Sequence, residues 1–463
     1  MTLNKLRRKI RTNFTPAQQI ALSFASVILI GAFLLSLPIS NKVEGTSFLE
    51  HLFTSTSAVC VTGLTTIVVV DQYTVFGQSI IIGLMQIGGL GLMTLIAVFV
   101  IFLSGKLTLS NRLALNEAVN FFNLNDFNHF IKAILKYTLF FELIGFILLS
   151  IRFVPLFGFS EGLFISLFTA VSAFCNAGLD ILGGISLQAY AHDPLVNFTV
   201  MFLIVVGGLG FGVWFDISQG SKSFIRKTYP LQYIIKHFKV HTKLAISMTI
   251  SLILGGAILI FLFEFNNINS IGNFNFFDKI MASLFQSITT RTAGFATLNM
   301  ASMKSASLFS MMILMFIGGS PGGTAGGIKT TTFAILVFMI ISELQSKKDI
   351  IIFNRNIQRE HFRKAFVVAF ILLSTLSIGI IGLSLTEPFD FLSIAFEAVS
   401  AIATVGLSMG ITSSLSSIGK IIIILLMYLG RIGPLTLMLS INRKVGCKKG
   451  QEISYSNAEI LIG

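Results

Sequence analysis

Charge is scarce in this sequence. Only 11% of its 463 residues are Asp, Glu, Lys or Arg, whereas about a quarter of a soluble domain is charged, and that scarcity excludes an ordinary soluble protein. Cysteine is scarcer still. Three cysteines, of which Cys60 and Cys175 sit in apolar stretches as small buried residues, define neither a disulfide framework nor a metal site. Acidic residues are also few, 20 against 33 Lys and Arg, leaving a net charge of +13. Such a balance could point to nucleic acid, but the placement of the charges argues against it. Of the 33 basic residues, 25 fall in segments 5–11, 106–136, 222–243, 347–364 and 443–449. These alternate with nearly uncharged stretches, as cytoplasmic and external loops of a membrane protein do. Both termini are therefore expected in the cytoplasm. No cleavable leader is expected either, because the apolar run Ile20 to Leu37 continues into the body of the chain.

Apolar residues are what the chain does have: 54% of positions, 46 of them Phe suited to lipid contact and core packing, with a mean hydropathy of +0.85. Windows of about 20 apolar residues recur, each long enough to cross a hydrocarbon core of roughly 30 Å. One three-part unit occurs four times. The first long runs read Ala17 to Leu37, Phe130 to Ile151, His241 to Phe263 and Phe366 to Leu385. The second read Gln78 to Phe102, Leu195 to Phe215, Leu308 to Ile341 and Ile418 to Ile441. Between them lie short segments that align without gaps: "HLFTSTSAVCVTGL" from His51, "SLFTAVSAFCNAGL" from Ser166, "SLFQSITTRTAGF" from Ser283 and "IAFEAVSAIATVGL" from Ile394. Their glycines, Gly63, Gly178, Gly294 and Gly406, are spaced by 115, 116 and 112 residues. A second marker follows each glycine by 24 to 29 residues: "IGGLG" from Ile87, "VGGLG" from Val206, "IGGSPGG" from Ile317 and "LGRIG" from Leu429.

The short segments are helix-compatible but too short to cross a bilayer, so each is expected to enter and leave on one side. Irregular backbone at that depth requires a water-filled cavity. The expected fold is an all-α membrane protein of four fused units, each a span, a re-entrant pore helix and a span. It has eight transmembrane helices and four re-entrant loops around a central pseudo-fourfold ion pore. Expected boundaries are 1–16 for an N-terminal cytoplasmic tail, units at 17–104, 130–217, 241–342 and 360–441, and a C-terminal cytoplasmic tail at 442–463. Glycine at a helix C-terminus gives the backbone freedom to turn carbonyls toward one axis, and rings of carbonyls replace the hydration shell of potassium.

With "VCVTGL", "FCNAGL", "TRTAGF", "TVGL", the glycine-rich third unit and "GRIGP" in the fourth, the sequence resembles the potassium-translocating subunits of the Trk/Ktr/HKT superfamily. The likeness covers nearly the whole chain, and the expected eight spans and the ending "NAEILIG" resemble the Ktr branch. The resemblance implies a potassium-binding filter at Val61, Thr62 and Gly63; Asn176, Ala177 and Gly178; Thr292, Ala293 and Gly294; and Thr404, Val405 and Gly406. Only the fourth keeps Thr-Val-Gly, which implies weaker discrimination against sodium. Glu50, Arg291 and Glu397 are expected to pair structurally in support of the filter, and Asp180 to face the external vestibule.

The stretch "GGSPGGTAGGIKTTTF" from Gly318 looks at first like a phosphate loop. A Walker loop, however, places Gly-Lys-Thr after four residues, and here Ile328 intervenes before Lys329, inside an apolar span. Helical glycine costs about 1 kcal/mol relative to alanine, and proline about 3, so this span is expected to break. In the resembled family this stretch is an intramembrane gate, formed here by Gly318, Gly319, Ser320, Pro321, Gly322, Gly323, Thr324, Ala325, Gly326, Gly327 and Ile328, with Arg431 as its pore-facing cation. Lys329 is left without an assigned role.

The resemblance further implies potassium uptake across a bacterial plasma membrane by a homodimer, with sodium as activator. It also implies control by a cytoplasmic octameric ring of Rossmann-type subunits that carry the adenine nucleotide. No enzymatic activity, no cofactor and no nucleic-acid partner are expected of this chain itself; lipid surrounds it. The alternative reading is the potassium-translocating subunit of an ion-pumping ATPase.

Overall fold

A computed structural model describes residues 16–91, 127–225, 230–347 and 350–433. The expected terminal tails, the basic segments 5–11 and 443–449, most of 106–136, and the far ends of the first and last units (92–104 and 434–441) lie outside the described residues, apart from Pro16.

The chain is almost entirely helical. In order it forms α1 (Pro16–Ser36), α2 (Phe48–Cys60), α3 (Val75–Leu90), α4 (Phe127–Phe157), α5 (Phe159–Cys175), α6 (Pro194–Gly208), α7 (Phe211–Ile225), α8 (Leu231–His237) and α9 (Val240–Glu264). It continues with α10 (Phe276–Thr289), α11 (Ser305–Phe316), α12 (Thr330–Leu344), α13 (Arg359–Thr386), α14 (Phe391–Ile402) and α15 (Ser417–Ile432). A hairpin of β1 (Ile351–Ile352) and β2 (Arg355–Asn356) pairs Ile351 with Asn356 and Ile352 with Arg355. It lays Ile352 against Leu244 and Ala334 in a small core of its own.

The long helices α1, α4, α9 and α13 contain 18-residue windows apolar enough to cross a membrane. Each keeps large apolar side chains exposed on one side: Phe33, Ile147, Ile258 and Ile378 are all more than half exposed. The opposite side packs inward, as Leu35, Leu149, Ile260 and Leu376 do. Such a helix needs an apolar solvent, because water would penalise its outer face.

The second runs behave differently. The runs of the second and third units are broken, and the described helices of the first and fourth end at Leu90 and Ile432. Helices α6 and α7 bend by 97° at their junction and count as at most one span, which raises the membrane-crossing helices among the described residues from four to five, so the expected eight are not all seen there. The cause is a positive φ that ends the helix just after each glycine pair: Gly91 at 78° after α3 and Gly210 at 92° between α6 and α7. Between α11 and α12 the helix is interrupted from Ile317 through Lys329. Gly433, at 86°, follows α15.

The short helices α2, α5, α10 and α14 pack against the long ones at the centre of the core. Ser55 of α2 donates to the carbonyl of Ile28 and Ser287 of α10 to that of Ile253, both at 2.7 Å. Gly31 and Gly256 make room for these hydroxyls, since a Cβ at either position would collide with the serine.

Candidate functional site

The four short helices all end the same way. Two residues before each marker glycine the backbone turns left-handed: Val61 (φ 57°), Asn176 (59°), Thr292 (69°) and Thr404 (51°). β-branched residues adopt that conformation only when the surroundings impose it. The glycines follow with positive φ as well, from 66° at Gly178 to 104° at Gly63. Each helix therefore stops and turns its last amides and carbonyls in a common sense.

These four corners meet. A Cβ built on Gly63 would lie 2.7 Å from the carbonyl oxygen of Ala177, and one on Gly178 2.5 Å from that of Ala293. One on Gly294 would lie 2.5 Å from that of Val405, and Gly406 faces the carbonyl of Thr62 in the same way. The contacts run from first corner to second, third and fourth, and back to the first, a closed cycle of four glycines and four carbonyls with no room for a side chain at any of them. Around it the hydroxyls of Thr62, Thr292 and Thr404 are buried and without a hydrogen-bond partner. A buried hydroxyl left so costs about 1–3 kcal/mol, and the four carbonyls of the cycle form a set of neutral oxygens suited to a dehydrated monovalent cation. The second corner differs, since the Asn176 amide lies against the carbonyls of Ile204 and Ala173.

A set of hydroxyls that the motifs did not single out holds the corners. Ser57, Ser172 and Ser400 stand six residues before the glycines. Their carbonyls accept from the amides of Thr62, Ala177 and Val405, each at 2.8 Å. The Ser57 and Ser400 hydroxyls accept from the amides of Gly63 and Gly406 at 3.0 Å, while Ser172 donates to Leu179 at 2.6 Å. In the third unit Thr289, five residues before the glycine, donates to Phe295 at 2.7 Å instead. The aligned Ser-Ala of three short segments was the available signal.

The stretch from Ile317 to Lys329 lies directly against this ring. Gly326 sits beneath the fourth corner, where a Cβ would collide with the Thr404 hydroxyl. On the other side the loop clasps the α6–α7 break. The amide of Ser320 donates to the carbonyl of Gly208 at 2.9 Å, that of Thr324 to Gly207 at 3.2 Å, and that of Phe211 to Gly322 at 3.0 Å. The Thr324 hydroxyl donates to the carbonyl of Phe174, at the end of α5, at 3.3 Å. Amides of Gly318 and Ile328 tie the two strands of the loop to the carbonyls of Ile328 and Phe316. Arg431, partly buried near the end of α15, donates to the carbonyls of Thr324 in the loop and Gly88 in α3. Lys329 takes the next loop carbonyl, Ala325, at 2.5 Å.

The remaining polar residues divide. Glu50 pairs with Lys420 at 2.6 Å and accepts from Thr66. Glu397, fully buried, accepts from Ser408 at 2.8 Å and from Thr412. Asp180 is partly buried in the loop after the second corner, where it accepts from the Leu182 amide at 3.1 Å. Arg291 departs from the expected pairing: it is buried directly before the third corner, and its Nε and Nη2 have no hydrogen-bond partner. Among the described residues no group of three or more His, Cys, Asp or Glu could hold a metal ion. Cys60 and Cys175 are free and buried.

Comparison with known proteins gives a consistent result. A family model described as the cation transport protein TrkH matches residues 4–446. The chain is 40% identical to the Ktr system potassium uptake protein B of Bacillus subtilis over 463 residues, covering 100% of both. It is 38% identical to the potassium/sodium uptake protein NtpJ of Enterococcus hirae over 99% of each. Among solved structures, the potassium transporter TrkH of Vibrio parahaemolyticus matches with a TM-score of 0.67 at 18% identity, covering 91% of this chain and 84% of that one.

Proposed function

Because this chain belongs to the TrkH family of cation transport proteins, we propose that it is a plasma-membrane potassium uptake subunit that conducts the ion through the ring of four corners. The relatives named above are a potassium and a potassium/sodium uptake protein, and the comparisons give no support to a pump-subunit alternative. In this reading each of the four sequence units contributes a span, a re-entrant helix and a second span broken at its glycine marker.

A potassium ion entering from outside exchanges its water for the carbonyls of the four corners, held in place by the serines behind them. The C-terminal ends of α2, α5, α10 and α14 carry the negative ends of their helix dipoles, which favours a cation at and just below the ring. The corners are unequal, with valine, asparagine and two threonines at the left-handed position. Unequal corners supply fewer matched oxygens and hence weaker discrimination between potassium and sodium. Beneath the ring, loop 318–328 with Arg431 obstructs the path and gates it. Sodium activation, homodimerisation and control by a cytoplasmic nucleotide-binding ring belong to the same proposal. The word "system" in a relative's name supports the partner.

The observation that carries this reading is the closed cycle of Gly63, Gly178, Gly294 and Gly406 with their neighbours' carbonyls. The test is Gly294→Ser, which puts a side chain where the carbonyl of Val405 stands. In potassium-uptake-deficient cells supplying the regulatory partner and sodium, this variant should lose most potassium uptake or most selectivity over sodium. Unchanged uptake and selectivity would remove the ring from the ion path.

A further inference from the structure

Glu142 is an acid on a helix that otherwise faces lipid and core. It lies in α4 at 7% exposure, within one of the four stretches apolar enough to span a membrane. Its carboxylate meets one donor, the Gln86 Nε2 of α3, 2.8 Å from both carboxylate oxygens. The four ion pairs among the described residues all use other carboxylates. Thr138, one turn earlier on the same buried stripe, has no hydrogen-bond partner and so does not donate to it. A carboxylate kept for its charge would need a cation or several donors at this depth, since burying an unpaired ion costs several kcal/mol.

Gln86 makes a second bond in the opposite direction. Its Oε1 accepts from the Cys175 thiol at 2.9 Å. Cys175 is the last residue of α5 and immediately precedes Asn176, where the second corner turns left-handed. The thiol is fitted closely to α3, because a Cβ on Gly89 would lie 2.6 Å from its sulfur. One chain of hydrogen bonds thus runs from α4 through α3 to the base of the second corner. The junction between the last and first units is bridged in a comparable way: Tyr428, placed two residues before its glycine marker as Gln86 is, donates to the carbonyl of Ala21 in α1 at 2.8 Å.

We infer that Glu142 is a positioning residue for the second corner. Through Gln86 it fixes the Cys175 thiol, and with it the start of Asn176-Ala177-Gly178, and it does so by hydrogen-bond geometry rather than by charge. The inference rests on the reading of the corners as the ion filter. An amide at position 142 can accept from Gln86 as the acid does, whereas an aliphatic side chain cannot.

The test uses the full chain with its regulatory partner in potassium-uptake-deficient cells, reading potassium uptake, selectivity over sodium and membrane abundance. The conservative E142Q should keep the parent's selectivity. E142L and Q86L should each lower it by about fivefold, the size of effect that losing one neutral hydrogen bond supports. A selectivity loss in E142Q equal to that in E142L would overturn the inference, because charge would then be what matters. Full selectivity in both leucine variants would overturn it too. If E142L fails to reach the membrane, Q86L decides. Gly178→Ser is run alongside: if it alters selectivity while the leucine variants do not, only the role of Glu142 falls. If Gly178→Ser also changes nothing, the filter reading falls with it.

Discussion

Arg431 holds two carbonyl oxygens from distant parts of the chain, Thr324 in the glycine loop and Gly88 in α3, while Lys329 holds the next loop carbonyl. Each bond to a charged group contributes about 1.5–3 kcal/mol. If the loop is the gate, losing roughly 2 kcal/mol from its closed state raises the open fraction by about 30-fold at most. R431Q is therefore expected to increase potassium flux by about tenfold or more in cells that lack the proposed regulatory partner. R431K should fall between, since an ammonium is a compact point charge without the planar fork that reaches two carbonyls. Flux equal to the parent's in R431Q would take this arginine out of the gate. Gly326→Ala tests the same contact from the loop side: its Cβ would collide with Thr404 Oγ1 and lie 3.0 Å from the Ala403 carbonyl, so basal flux should rise without any change of charge. Arg431 was singled out through the resemblance carried by "GRIGP", but its partners were not legible. Backbone carbonyls leave no mark in a sequence, and for the same reason Lys329 had no role until the loop's path was known. Arg291 shows the opposite failure: a buried charge suggested a partner that the fold does not supply to its Nε and Nη2.

The helix breaks belong to a larger scale. The third unit announced its break by composition, with six glycines and a proline between Gly318 and Gly327. The bend between α6 and α7 and the ends of α3 and α15 were not announced. Two or three helical glycines cost only about 2–3 kcal/mol, an amount that tertiary packing often overrides, so composition alone left these spans straight. What decides them is contact between elements. A side chain at Gly88, Gly207 or Gly430 would collide with the carbonyl of Val59, Phe174 or Ile402, each four residues before a corner glycine. The second runs are thus pressed against the ends of the short helices, and α3, α6 and α15 end within two residues of that contact. Gly210 carries the consequence, because it combines a φ of 92° with a Cβ position 2.6 Å from the Pro321 carbonyl. Gly210→Ala should loosen the loop by about 1–2 kcal/mol, read as faster amide exchange in residues 318–328. Gly212→Ala is the control, having nothing within 4 Å of its Cβ and an ordinary helical φ. Equal exchange in the two variants would show that the loop is not held through the α6–α7 break.

At the scale of the molecule the ring has one junction that the chain does not make. The spacing of the four glycines made their kinship legible, and the structure brings the four corners into one closed cycle; consecutive corners are joined by the chain between them. Among the described residues the last and first units meet through side chains and packing, however. Besides the meeting of Gly406 with Gly63, the described residues bridge that seam with Glu50 to Lys420 at 2.6 Å, Tyr428 to Ala21, and Arg431 to Gly88. Glu50 was expected to pair, but its partner could not be read from the sequence, since Glu50 and Lys420 are 370 positions apart. The pair is shielded, with side chains 17% and 13% exposed, so its attraction is screened less than that of a surface pair. A double-mutant cycle of Glu50→Gln and Lys420→Met, followed by thermal unfolding in detergent, should give a coupling of about 1 kcal/mol or more. The same cycle on Lys364 and Glu360, an i,i+4 pair more than half exposed on both sides, should give about 0.3–0.5 kcal/mol. The seam variants should also lower selectivity for potassium, because Gly63 and Gly406 face each other across this junction, whereas the Lys364 and Glu360 variants should not. Equal coupling in the two cycles, with selectivity intact, would mean that packing alone closes the ring and that Glu50 and Lys420 contribute nothing specific to it.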